Sequence, residues 1–123
     1  MILGIGIDVV HVQRIKHWLE MPGLVERFFH PQEIAECRSR GSSGPLSLAA
    51  RFAAKEALGK ALGTGLSGMK LRDIQVVNDR YGKPDIMLYG EAAERLEKMG
   101  GKRVHLSLTH ESDNAIAIVA IED

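Results

Sequence analysis

Apolar residues fill most of the first dozen positions, and they divide by parity. In ILGIGIDVVHV (2–12), Leu3, Ile5, Ile7 and Val9 fall on one face of an extended chain, and Ile2, Gly4, Gly6, Asp8 and Val10 on the other, which predicts a strand. A glycine inside a strand packs nothing and marks a place where a ligand or another backbone comes close. The Gly4-Gly6-Asp8 face is therefore a candidate site. Ile15, Trp18 and Leu19 recur at helical spacing between Gln13 and Leu19, and Pro22-Gly23 would end that helix. Pro31 at a first helical position, with Glu33 in the first turn, predicts a second short helix. GSSGP (41–45) reads as a loop leading into a long helix from about residue 47 to 62, with Gly63-Thr64-Gly65 as its stop.

Further on, strands near 74–78 and 85–88 flank the turn DRYGKP as a hairpin, EAAERLEKM (91–99) is helical and closed by Gly100-Gly101, and VHLSLT (104–109) pairs with NAIAIVAI (114–121). Helices and hairpins come in blocks rather than in strict alternation. That order predicts an α+β fold, a largely antiparallel sheet packed against a long buried helix, in one domain spanning 1–123.

Composition excludes several classes. With 45% hydrophobic and 26% charged residues the chain is neither disordered nor fibrous, and sixteen Lys plus Arg against sixteen Asp plus Glu give no broad basic field for nucleic acid. One cysteine, Cys37, and no charged-then-apolar leader point to a reducing, cytoplasmic setting. The longest apolar runs fall far short of the ~20 residues that span a membrane, so membrane insertion is not expected.

Glu56 stands in RFAAKEALGKALGTG (51–65), a segment built mostly of alanine, leucine, glycine and cations. On a helix it shares a sector with Ala49, Ala53 and Lys60, an alanine-lined face that another element can approach. As a surface pair with Lys60 it would contribute only ~0.2–0.5 kcal/mol. Between Leu48 and Leu62 the other polar residues, Arg51, Lys55 and Lys60, are all cations, and a carboxylate among cations suits an anionic ligand shared with a metal. Asp8 alone would be an ordinary strand-end cap. Together, two hard carboxylates suit Mg²⁺, which completes its shell with water and substrate phosphates.

His105, Ser107 and Thr109 alternate along one strand and form either a hydrogen-bonding ledge or a solvated face, while Val104, Leu106 and Leu108 face the core. Zinc is not expected, since His105 and His110 point to opposite faces and Cys37 is the only thiolate. GIGIDV lacks the third glycine of a dinucleotide fingerprint, neither GSSGPLS nor GTGLSG ends as a phosphate loop does, and no serine sits in a GxSxG elbow. The chain lacks a covalent nucleophile of its own.

GIGIDVVHVQRI (4–15), RFAAKEALGKALGTG (51–65), YGKP (81–84) and HLSLTHE (105–111) resemble, in order and spacing, the signatures of the holo-[acyl-carrier-protein] synthase family, the short bacterial 4′-phosphopantetheinyl transferases. The resemblance implies Mg²⁺-dependent transfer of the phosphopantetheine arm of coenzyme A to a serine of apo acyl carrier protein, releasing adenosine 3′,5′-bisphosphate. It further implies a homotrimer with active sites between subunits, Asp8 and Glu56 of one chain meeting the strand near His105 of another. Carried over, Asp8 and Glu56 ligate the metal and Lys60 holds the pyrophosphate. Arg51 and His105 take the 3′-phosphate with Thr109 beside them, Gly82-Lys83-Pro84 border the adenine, and Gly63 and Gly65 admit the ligand to the backbone. The serine proton has four candidate acceptors: a metal-associated water, Glu56, Lys60 or His105. Arg14, Lys16 and Arg27, with Trp18, Leu24 and Phe28 between them, form the expected docking face for the acidic carrier protein, although EMPGLVERFFHP (20–31) is less basic than the family leads one to expect. His30 stands where a hydroxyl residue often caps the next helix. Two other readings are a metal-dependent hydrolase of coenzyme A or a related diphosphate, and a non-catalytic oligomeric binding module.

Overall fold

The chain is described over residues 1–123 by a computed structural model. Strand β1 (Ile2–His11) runs straight into α1 (Val12–Leu19), followed by α2 (Leu24–Phe28) and α3 (Pro31–Arg38). A 3₁₀ turn at Gly41–Ser43 opens the long helix α4 (Gly44–Leu62). After a second 3₁₀ turn (Leu71–Asp73) come β2 (Ile74–Asn78), β3 (Pro84–Leu88), α5 (Gly90–Lys98), β4 (Arg103–His110) and β5 (Asn114–Glu122). All strand pairing is antiparallel, in a three-stranded sheet of order β1-β5-β4 and a two-stranded sheet β2-β3.

Helix α4 packs across the inner face of the larger sheet, and 14 of its 19 residues are buried. Burial on all sides is why its sequence shows no polar stripe. Alanines at 49, 50, 53, 54, 57 and 61 let neighbours close in around it. The closest approach is to β1: a Cβ on Gly4 would stand 2.0 Å from the Ala61 carbonyl oxygen, and one on Gly6 1.9 Å from that of Ala57. The two glycines thus admit another backbone, and that backbone docks on Ala57 and Ala61 rather than on the sector of Ala49, Ala53 and Glu56. Gly6→Ala is expected to cost about 3 kcal/mol, because a carbonyl cannot rotate aside as a flexible side chain would. Urea unfolding with an unchanged m-value measures this, and a loss under 1 kcal/mol would mean that strand and helix separate freely.

The opposite face of the sheet is apolar and open. Its cross-strand rows are Ile5–Ala120–His105, Ile7–Ile118–Ser107 and Val9–Ile116–Thr109. Ile5, Ile7 and Val9 are 62%, 57% and 56% exposed, and Ile116 and Ile118 are exposed beside them.

Several element ends differ from the sequence reading by a residue, and three local features have an identifiable physical cause. α4 begins at Gly44, three residues early, because Pro45 sits in its first turn, where a missing N–H costs nothing. α2 was not expected; Gly23, at φ 79°, starts this short helix, which buries Val25. His30 does cap α3: its Nδ1 accepts from the Gln32 N–H (3.1 Å), and Glu33 Oε1 accepts from the His30 N–H (2.9 Å), which completes a capping box without a hydroxyl.

Candidate active site

Asp8 closes the inward face that Gly4 and Gly6 open, and α4 supplies its neighbours. Lys60 Nζ donates to Asp8 Oδ1 (3.1 Å) and to the Ile7 carbonyl (2.9 Å). The surface pair Glu56–Lys60 is therefore not formed, and Asp8 does not cap α1, whose N-cap His11 makes no side-chain bond. Glu56, one turn before Lys60, has no hydrogen bond or ion pair. Burial pushes its carboxyl above the ordinary glutamate range and the charge of Asp8 pushes it further, while Arg14 and Lys60 oppose the rise. Two carboxylates close enough to repel, one unpartnered, form a donor set open to a cation. Nowhere in the chain do three or more His, Cys, Asp or Glu side chains cluster as a metal cage.

Of the three α4 cations expected around Glu56 only Lys60 lies on its side, joined by Arg14 from α1. Lys55 is fully buried and donates to Glu33 Oε1 (2.7 Å) and to the carbonyls of Leu71 (3.0 Å) and Ile74. Arg51 is 2% exposed; its Nη1 donates to the Val76 carbonyl (2.8 Å), and its Nη2 lies 3.2 Å from Glu36 Oε2. Arg51 forms the wall of a cleft of about 710 Å³, which also includes Arg40, Arg80, Gly82, Pro84 and His110. The turn that carries Gly82 is held by Asp79 Oδ1, which accepts from the N–H groups of Tyr81 (2.8 Å) and Lys83 (2.9 Å). Lys83 and His105 border a second cleft across that turn, of about 860 Å³, which shares Pro84 with the first.

Residues 4–119 match the 4′-phosphopantetheinyl transferase superfamily. The chain belongs to this superfamily. A holo-[acyl-carrier-protein] synthase from Treponema denticola is 52% identical over 122 residues, 99% of each chain. Among solved structures, a holo-[acyl-carrier-protein] synthase from Neisseria meningitidis superposes over the whole of both chains with a TM-score of 0.88 at 39% identity. A holo-(acyl-carrier-protein) synthase from Bacillus anthracis in complex with CoA (3′,5′-ADP) superposes with a TM-score of 0.82 at 36% identity, covering 98% of this chain and 96% of its own. The α+β architecture and the resemblance read from the four motifs are both borne out.

Within the chain of this transferase the expected site residues fall into separate groups. Asp8, Glu56 and Lys60 lie on the inner side of the larger sheet, Arg51 with Gly82 and Pro84 in the first cleft, and His105 and Thr109 on the outer face. His105 Nε2 pairs with Glu122 Oε1 (3.1 Å) there, which helps hold that carboxyl below its ordinary range. Gly63 and Gly65 have φ values of 78° and 66°, with open space where side chains would stand. Of the expected docking residues, Arg14, Lys16 and Arg27 are exposed, but Trp18 and Phe28 are half-buried in an aromatic cluster with Phe52 of α4. Leu24 is half-buried too, and Arg14 lies over the Trp18 and Phe52 rings at 4.9 and 5.3 Å. The apolar part of that face is thus largely spent on the fold. Sequence reasoning missed Arg40 and Arg80 and weighed His110 only as a zinc ligand; isolated positions far apart in the chain carry no period that could have flagged them as neighbours.

Proposed function

We propose that this transferase moves the 4′-phosphopantetheine arm of coenzyme A to a serine of apo acyl carrier protein and releases adenosine 3′,5′-bisphosphate. The observation that carries the reading is the open pair Asp8–Glu56 beside Lys60, in a chain with no nucleophile of its own and with relatives named for carrier-protein synthesis. The carrier serine oxygen forms a bond to the phosphorus next to the pantetheine, the P–O–P bridge breaks, and the bridging oxygen leaves with the nucleotide. The serine proton passes to solvent or to a nearby base.

Asp8 and Glu56 fit Mg²⁺: both are hard oxygen donors, and too few other protein donors stand nearby to close its shell, so phosphate oxygens would complete it. When bound, the metal supplies neutralisation of charge on the diphosphate. Lys60 holds Asp8 in place and adds a positive charge for the pyrophosphate. Arg51 presents a guanidinium fixed by Val76 to the ribose phosphate, with Gly82, Lys83 and Pro84 beside the adenine, and Gly63 and Gly65 leave the helix end uncovered for the ligand.

The exposed row of Ile5, Ile7, Val9, Ile116 and Ile118 supports assembly as a homotrimer. A contiguous apolar face of this kind is costly to leave in water, and a second copy would cover it. His105 and Thr109 stand at the edge of that same face, where a neighbouring subunit's ligand could reach them. Arg14, Lys16 and Arg27 form the basic rim that would meet the acidic carrier protein. The reading places one domain, 1–123, in the cytoplasm, where the lone thiol of Cys37 would stay reduced.

Incubation with coenzyme A, Mg²⁺ and apo carrier protein is expected to add one phosphopantetheine mass to the carrier, read by mass spectrometry, and chelation of Mg²⁺ with EDTA to abolish the gain. Release of the bisphosphate nucleotide without any carrier would identify a hydrolase instead.

A further inference from the structure

The cleft around Arg51 has more cations than the fold uses, and one carboxylate holds two of them. Arg80 is turned onto its neighbour, with Nη2 donating to the Tyr81 hydroxyl (2.8 Å), and Asp79 is occupied by the turn amides. Glu36, from the exposed side of α3, fills the remaining role. Its Oε1 accepts from Arg40 Nη2 (3.0 Å) and Asn78 Nδ2 (3.1 Å), while its Oε2 lies 3.2 Å from Arg51 Nη2. Two guanidinium groups and an amide around a two-oxygen anion are also the donor set that a phosphate monoester takes.

Glu36 is free to leave that position. Its side chain is 40% exposed, whereas Glu33, one turn earlier, is fully buried. Arg51 would not follow it, since Nη1 stays bonded to the Val76 carbonyl.

We infer that Glu36 is a built-in competitor for the ribose phosphate: it orients Arg40 and Arg51 when the cleft is empty and gives them up when the donor's phosphate arrives. The inference rests on the reading of Arg51 as a phosphate ligand. Glu36 is a positioning residue, and its effect is to weaken phosphate binding and hasten departure of the nucleotide product.

Titration calorimetry with adenosine 3′,5′-bisphosphate and with adenosine 5′-monophosphate, each in Mg²⁺, tests it. The parent protein should prefer the bisphosphate. Glu36→Gln removes one negative charge at close range and should bind the bisphosphate about tenfold more tightly, with no change for the monophosphate. Its KM for coenzyme A should fall together with kcat, as product leaves more slowly. Glu97→Gln, the same charge change on an exposed face of α5, should alter neither nucleotide. If the parent binds both nucleotides equally, the phosphate seat is absent and the inference falls with it. If the parent discriminates but Glu36→Gln leaves that preference unchanged, the phosphate seat stands and Glu36 is no competitor.

Discussion

Glu56→Ala is expected to lower Mg²⁺-dependent transfer about a thousandfold, equivalent to ~4 kcal/mol of transition-state stabilisation, while leaving the unfolding temperature unchanged or slightly higher. The two halves of this result have one cause. Burial and the charge of Asp8 push the Glu56 carboxyl above its ordinary range, so the folded protein holds this anion at a cost and gains no hydrogen bond from it. A side chain kept where it destabilises its own fold is explained by a ligand that uses it. Glu56→Gln keeps the shape and removes the charge, so it should lose nearly as much activity as alanine. Activity within fivefold of the parent in both variants would exclude Glu56 from the site, whatever the family. Asp8 would not separate the effects so cleanly, because its loss also frees Lys60.

Local signals in the sequence were enough for most elements. Pro31 and Glu33 located α3, Gly63 ended α4, and parity along 2–10 separated the two faces of β1. Parity does not say which face is inside: the glycines marked a close approach by a ligand or another backbone, and it is the backbone of α4 that docks there, while Ile5, Ile7 and Val9 on the other face are exposed. Packing of backbone on backbone overrides side-chain hydrophobicity there. Asp8 and Glu56 could be singled out because each is a lone carboxylate in an apolar segment. The directions of Arg51 and Lys55 were not, because a helix buried all round leaves no polar stripe from which to read direction, and both cations find their partners on α3 and β2, more than fourteen residues away.

Lys55→Met is expected to cost 3–5 kcal/mol of stability, the range for removing one partner of a buried ion pair. The ammonium is fully buried. That burial pushes it below the ordinary lysine range, and the charge of Glu33 pulls it part of the way back. Its loss leaves Glu33 an uncompensated buried anion and removes a donor from the carbonyls of Leu71 and Ile74. Glu33 keeps bonds from the N–H groups of His30 and Val76, so α3 and β2 would remain attached through it, though with a charge the interior does not tolerate. For a chain of this length the unfolding temperature should fall on the order of 10–20 °C. Glu33→Gln in the Lys55→Met background should restore part of the loss, since it removes the stranded charge, although its single amide oxygen can accept from only one of the two N–H groups that the carboxylate serves. A double variant no more stable than Lys55→Met alone would mean that the lost carbonyl contacts, not the stranded carboxylate, set the cost. If Lys55→Met itself costs under 1 kcal/mol, the pair is not what ties α3 and β2 to α4. The tie matters beyond stability, since β2 presents the Val76 carbonyl that fixes Arg51 in the cleft. A variant that stays folded at low temperature should therefore lose affinity for coenzyme A before it loses its helices.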